Sequence, residues 1–173
     1  AKYGGMVFER RNSNNKSPIV LVPLCGKSVD LTTLASDGYT VIGVEGIHQA
    51  IVQYSVENDN LITMDPFTPN LIKFGPNFES YEGSTKAKTT GSVQILKGDY
   101  FKLQSLTPNF VDFVWDRASM VAIEPKLRGE YVKNLGHVLK PGGSILLSTF
   151  DRRAGDEKVM KAGPPYSLTE EHV

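Results

Sequence analysis

The first strong signal along the chain is Pro18 to Leu24, where Ile19, Val20, Leu21 and Val22 follow one another without a polar break. An apolar run of this kind suits a strand covered on both faces, so it is expected in the interior of a sheet. Ser28 then offers a helix start, Leu31, Leu34 and Ala35 recur at helical spacing, and Gly38 supplies a stop. A second strand is predicted over Thr40 to Glu45. A second helix is predicted over Ile47 to Asn58, with Ile47, Ala50, Ile51 and Tyr54 on one face. Strand, helix, strand and helix in close succession predict parallel strands joined by crossovers.

From Asp59 to Gly91 the pattern breaks. Pro66, Pro69, Pro76, Gly75 and Gly83 interrupt short apolar pairs, which predicts an insertion holding one irregular hairpin. Ser92 to Lys97 and Phe110 to Trp115 are the third and fourth predicted strands. Leu127, Tyr131, Leu135, Val138 and Leu139 form a helical stripe that Pro141 and Gly142 end, and Ser144 to Phe150 is the fifth strand. Ser167 and Glu170 have capping-box spacing, so a further helix is expected to begin there and the chain reads as incomplete at both ends. The whole, residues 1 to 173, is expected to be a single α/β domain.

Composition narrows the function. A chain of 173 residues with 40% hydrophobic positions can bury one core. Nineteen Lys and Arg balance nineteen Asp and Glu, so no bulk charge draws the chain to nucleic acid or to an anionic membrane. Lys86, Lys88, Arg152 and Arg153 read as solvated loop charges. Cys25 stands alone, and no apolar run approaches the roughly 20 residues that span a bilayer. A cytoplasmic monomer is expected. His48, His137 and His172 share no metal-ligand spacing, so no metal is expected.

In an open parallel sheet, ligands bind beyond the carboxyl ends of the strands. After the first strand comes Pro23-Leu24-Cys25-Gly26-Lys27-Ser28. The phosphate-loop pattern needs a glycine at position 21, where Leu21 stands, and a dinucleotide fingerprint needs more glycines than Gly26 alone. Cys25 reads as a small buried loop residue rather than a nucleophile. Glu45 ends the second strand at about the spacing where a carboxylate accepts ribose hydroxyls. An acid there beside a glycine-poor turn favours a nucleoside without a pyrophosphate; otherwise Glu45 is a solvated strand-end carboxylate. Gly98-Asp99-Tyr100-Phe101 sets a second acid and an aromatic beside the same place, suited to an adenine amino group and ring, unless Asp99 only caps the next segment.

Trp115-Asp116-Arg117-Ala118-Ser119 closes the fourth strand. Together with Pro-Leu-Cys-Gly-Lys-Ser, the strand ending in Glu45, Gly-Asp-Tyr-Phe and the late Gly163-Pro164-Pro165-Tyr166, it resembles the thiopurine S-methyltransferase family over about residues 18 to 173. The resemblance implies a Rossmann-like class I methyltransferase sandwich of seven strands. The five predicted strands would be its first five, with a closing pair after residue 173. It also implies S-adenosylmethionine as methyl donor, S-adenosylhomocysteine as product, and no metal.

By position, Leu24 and Gly26 match the wall along the donor's amino-acid part, Glu45 the ribose acceptor, and Asp99 and Tyr100 the adenine pair. Arg117 matches a residue at the junction of donor and acceptor pockets, and with Asp116 is assigned to catalysis. Pro165 and Tyr166, a rigid turn with an aromatic, would line the acceptor side with Arg117, or else only lock the loop. A sulfonium methyl transfers by in-line displacement, which needs alignment more than a base, and a low-pKa thiol arrives as its thiolate. Arg117 then stabilises the anion, or else only pairs with Asp116 or another neighbour. The expected activity is methylation of a small thiol or selenium nucleophile. Halide or thiocyanate methylation, which Ala122-Ile123-Glu124-Pro125 also resembles, and a non-catalytic donor-binding module are the alternatives. A dinucleotide oxidoreductase is disfavoured by the single-glycine turn.

Overall fold

The apolar run opens the sheet. In the computed structural model, which describes residues 17–70, 74–86, 91–151 and 162–169, it is strand β1 (Ile19–Val22), with Val20 and Leu21 wholly buried. β1 pairs in parallel with β2 (Thr40–Glu45) on one side and with β6 (Val111–Arg117) on the other. Its position is therefore interior, as an uninterrupted hydrophobic strand requires. Alternate residues face opposite layers. Val20 and Val22 pack with Leu31, Leu34 and Ala35 of α1 (Asp30–Ser36) and with Ile51 and Tyr54 of α2 (His48–Glu57). Leu21 packs with Tyr131 and Leu135 of α3 (Arg128–Val138) and with Tyr100 and Leu103 of a 3-10 helix, Tyr100–Ser105. Each such side chain contributes about 1.5 to 3 kcal/mol when fully buried.

The sheet has seven strands, ordered β3 (Ile62–Met64), β4 (Phe78–Thr85), β5 (Ser92–Gly98), β2, β1, β6 and β7 (Leu139–Ser148). The five from β5 to β7 run parallel. The chain winds from β1 outward through β2 to β5, then crosses to β6 and β7 on the other side. The reversal point lies between β1 and β6, where an α/β sheet opens its crevice.

Three elements differ from the sequence expectation. The 59–91 insertion holds the expected hairpin, β3 and β4 antiparallel, but it is not a separate insertion: β4 pairs with β5 from Phe78 to Ser84, so both strands extend the main sheet. Gly83, which reads as a breaker, is a strand residue paired with Met64 and Val93, and glycine is needed there because a Cβ would stand 2.9 Å from Ile62 Cγ2. β6 runs on past Trp115 to Arg117, so Asp116 and Arg117 are strand residues. Pro141 and Gly142 do not separate α3 from the last strand. α3 passes directly into β7, whose first residues bulge, with the register jumping from Val111↔Leu139 to Phe113↔Ser144.

Ser167 to Thr169 is not helical, and Leu168 is buried in the α3-side core. Glu170, Lys88, Arg152, Arg153 and His172 lie outside the described residues, as does any strand pair beyond residue 173. Among the described residues no helix is long and apolar enough to cross a membrane.

Candidate functional site

The turn after β1 is fixed from the end of β2. Leu24 and Gly26 both take positive φ, 43° and 52°, a conformation that costs a leucine and suits a glycine. Glu45 holds the turn there, accepting the Gly26 N–H on Oε2 at 2.8 Å and the Ile47 N–H on Oε1 at 2.7 Å. At 9% exposure, Glu45 is a placed acceptor rather than a solvated carboxylate, and each oxygen keeps a lone pair for a further donor. Space above Gly26 is open: a Cβ there would meet nothing within 4 Å. Cys25 lies beneath, its N–H bonded to the Val44 carbonyl at 2.9 Å. Burial, then the Glu45 charge, push its thiol well above the ordinary range, so it stays protonated and inert.

Across the reversal point, the pleat of β6 sends Asp116 and Arg117 to opposite faces. Asp116 turns toward α3 and is 1% exposed. Its Oδ1 accepts the N–H groups of Ser119 at 3.0 Å and Met120 at 3.1 Å, and its Oδ2 accepts the Tyr131 hydroxyl at 2.6 Å. Burial raises its pKa, opposed by those hydrogen bonds, Tyr131 first. Asp116 therefore holds the turn that follows, in which Ala118 has a φ of 73°. Ser119 Oγ donates to the Pro23 carbonyl at 2.5 Å, joining this turn to the one after β1.

Arg117 takes the α1 side. Its Nε donates to Asp30 Oδ2 at 2.6 Å and its Nη2 to Ser28 Oγ at 3.3 Å, while Trp115 Nε1 donates to the same Asp30 oxygen at 3.0 Å. The pairing alternative for Arg117 is thus realised with Asp30, not with Asp116. Nothing in the local sequence marks Asp30 as a partner of Trp115 and Arg117: an acid in a first helical turn suits the helix dipole.

Asp99 is exposed at the end of β5 and accepts the Phe101 N–H at 2.9 Å, capping the 3-10 helix. Tyr100 is turned into the core at 3% exposure, stacked on Tyr131 with centroids 4.5 Å apart and its hydroxyl donated to the Tyr131 carbonyl at 2.9 Å. The half-buried aromatic beside Asp99 is Phe101. A cleft of about 670 Å³ opens here, between Gly46 after β2, Gly98 and Asp99 at the end of β5, and the Gly75 to Glu79 segment entering β4. Lys97 and Glu79 pair at 3.0 Å on its wall. Ile47, 64% exposed, stands next to Gly46.

Pro165 and Tyr166 lie half-buried against the turn after β6, with the Tyr166 N–H donated to the Val121 carbonyl at 2.6 Å. The Tyr166 ring covers Gly163 so closely that a Cβ there would collide with it. Arg128 Nη2 donates to the Ser167 carbonyl at 3.2 Å, and Leu168 anchors the segment in the core. Of the predicted site residues, Gly26 and Glu45 touch, Arg117 reaches the same turn through Ser28, and Asp99 borders the cleft. Asp116 and Tyr100 are interior supports.

The family model for thiopurine S-methyltransferases matches residues 6–173. A thiopurine S-methyltransferase of Legionella pneumophila (strain Corby) is 38% identical over 154 residues, covering 89% of this chain and 61% of that protein. One from Vibrio atlanticus (strain LGP32) is 37% identical, covering 93% and 64%. The chain thus spans somewhat under two thirds of the length of these curated relatives. Among solved structures, a SAM-dependent methyltransferase from Methanosarcina mazei superposes with a TM-score of 0.59 at 24% identity, over 80% of this chain and 55% of that one. Magnesium protoporphyrin IX methyltransferase from Synechocystis, solved with bound SAH, gives 0.57 at 14% identity over 92% and 61%. The fold is the Rossmann-like one of class I methyltransferases.

Proposed function

The chain belongs to the thiopurine S-methyltransferase family, and on that premise we propose that the protein transfers a methyl group from S-adenosylmethionine to a small thiol or selenium nucleophile. The observation that carries the reading is the Glu45 carboxylate bridging Gly26 and Ile47 while retaining acceptor capacity beside the cleft. The residues present suit the donor: Gly26 leaves open space where an amino-acid part would pass, Glu45 can accept ribose hydroxyls, and a cleft of about 670 Å³ is within the range that holds such ligands. When bound, S-adenosylmethionine supplies a sulfonium methyl group for in-line displacement.

This chain's residues align and dry the reactants. Gly26 leaves room for the donor's amino-acid part, and Glu45 and Asp99 hold the nucleoside side. Arg117 presents a guanidinium to an anionic acceptor, so no residue need remove a proton. Pro165 and Tyr166 wall the acceptor side. The protein works as a monomer on a small molecule in the cytoplasm, where thiols stay reduced.

The test is calorimetric titration of the full-length protein with S-adenosylhomocysteine and with NAD, followed by assays with aromatic thiols, iodide and thiocyanate. Binding of S-adenosylhomocysteine alone, with thiol turnover, is the expected result. Halide turnover without thiol turnover would move the acceptor to the halide class, and donor binding with no turnover would make the protein a binding module.

A further inference from the structure

Asp30 joins two side chains of β6 at one oxygen. Arg117 Nε and Trp115 Nε1 both donate to its Oδ2, at 2.6 and 3.0 Å. Trp115 and Arg117 alternate onto the same face of the strand, so a carboxylate in the first turn of α1 meets both. Ser28 Oγ accepts from Arg117 Nη2 at 3.3 Å and from the Asp30 N–H at 3.2 Å, which ties acid and guanidinium to the Gly26 turn. The Asp30 side chain is 18% exposed and that of Arg117 55%. An ion pair this wet adds little stability. What it does supply is a fixed direction for a long side chain that would otherwise sample many rotamers.

We propose that Asp30 is a positioning residue for Arg117, with Trp115 as the strut that fixes Asp30. The inference rests on reading Arg117 as the group that meets an anionic thiol acceptor. Asp30 and Ser28 occupy Nε and one Nη2 hydrogen, leaving the outer donors of the fork for the anion.

Removing Asp30 has two opposed effects. The counter-charge goes, so Arg117 attracts an anion more strongly. Alignment goes too, so the bound anion reacts more slowly. The full-length Asp30→Ala variant is therefore expected to bind S-adenosylhomocysteine as wild type does, to lose about ten-fold in kcat, and to show no rise in KM for thiosalicylate. Asp30→Asn, which keeps an acceptor oxygen without the charge, is expected to recover most of the kcat. A kcat unchanged in Asp30→Ala, no recovery in Asp30→Asn, or a parallel loss of S-adenosylhomocysteine affinity would each overturn the proposal.

A second readout needs no turnover. Thiosalicylate binding is expected to change Trp115 emission in wild type, with Trp115→Phe as the blank, and not in Asp30→Ala, although calorimetry still records binding there. Equal responses in the two would overturn it, as would thiosalicylate failing to bind wild type. If S-adenosylhomocysteine does not bind wild type, the methyl-donor reading fails, and the emission comparison still decides the role of Asp30.

Discussion

Glu45 accepts the Gly26 N–H at 2.8 Å, so the end of β2 holds the turn after β1 in its left-handed conformation. The other carboxylate oxygen takes the Ile47 N–H. Glu45→Ala leaves both donors without this partner, and is expected to cost on the order of 1 to 3 kcal/mol in urea unfolding. The same change should weaken S-adenosylhomocysteine binding by more than it weakens the fold, because the ribose acceptor is lost along with the turn. Equal stability of variant and wild type would show that the turn holds itself.

Asp116 is raised above its ordinary pKa by burial, and the sign of its effect on stability follows. Between its ordinary and its raised value the folded chain binds the proton more tightly than the unfolded one. The stability contributed by the protonated form is present below the ordinary carboxylate value and is lost as pH rises through the raised one. Asp116→Asn cannot ionise, so its stability should gain on wild type as pH climbs through that window. Urea midpoints for both proteins, measured from acid to neutral pH, check this; a constant difference would contradict it.

The parallel half of the fold was legible because burial on both faces writes itself into sequence. Val20, Leu21 and Val22 in the run and Tyr131, Leu135 and Val138 in the stripe are all buried, as their spacing predicts. The 59–91 stretch showed as an irregular hairpin, but its place in the main sheet did not, since a three-residue edge strand and a glycine required by close packing resemble a broken loop. At the site, short motifs put Gly26 and Glu45 in one candidate set, and the two do touch. The motifs did not carry direction. Asp116 and Arg117 are neighbours in sequence and opposites on the pleat, and once β6 extends through both, only their partners Tyr131 and Asp30, distant in the chain, tell the two roles apart.

Tyr100, expected on the adenine side, is turned into the core, and Phe101 is the half-buried aromatic beside Asp99. The Tyr100 hydroxyl bonds the Tyr131 carbonyl inside the core, so Tyr100→Phe should cost about 1 kcal/mol or slightly more and leave S-adenosylhomocysteine affinity alone. Phe101→Ala, beside Asp99, should weaken that affinity. The reverse pattern in paired calorimetry and unfolding curves would return the adenine-side role to Tyr100.

Gly98 and Gly46 face the same cleft with different room around them. A Cβ at Gly98 would fall 2.5 Å from both the Asn77 carbonyl oxygen and Phe78 Cδ1, so backbone and a core ring would have to move. At Gly46 the nearest atom to a Cβ, the Gly98 carbonyl oxygen, is an ordinary 3.8 Å away. Gly98→Ala is therefore expected to destabilise the fold by about 1 to 3 kcal/mol, as overpacking does, and to weaken S-adenosylhomocysteine by displacing the Gly75 to Glu79 wall. Gly46→Ala should leave the unfolding curve nearly unchanged and weaken the ligand only by the methyl group it adds. Affinity lost in Gly98→Ala but kept in Gly46→Ala places the ligand against the outer wall. Affinity lost in Gly46→Ala at full stability places it against the end of β2, next to Glu45. Affinity kept in both would put the donor outside this cleft.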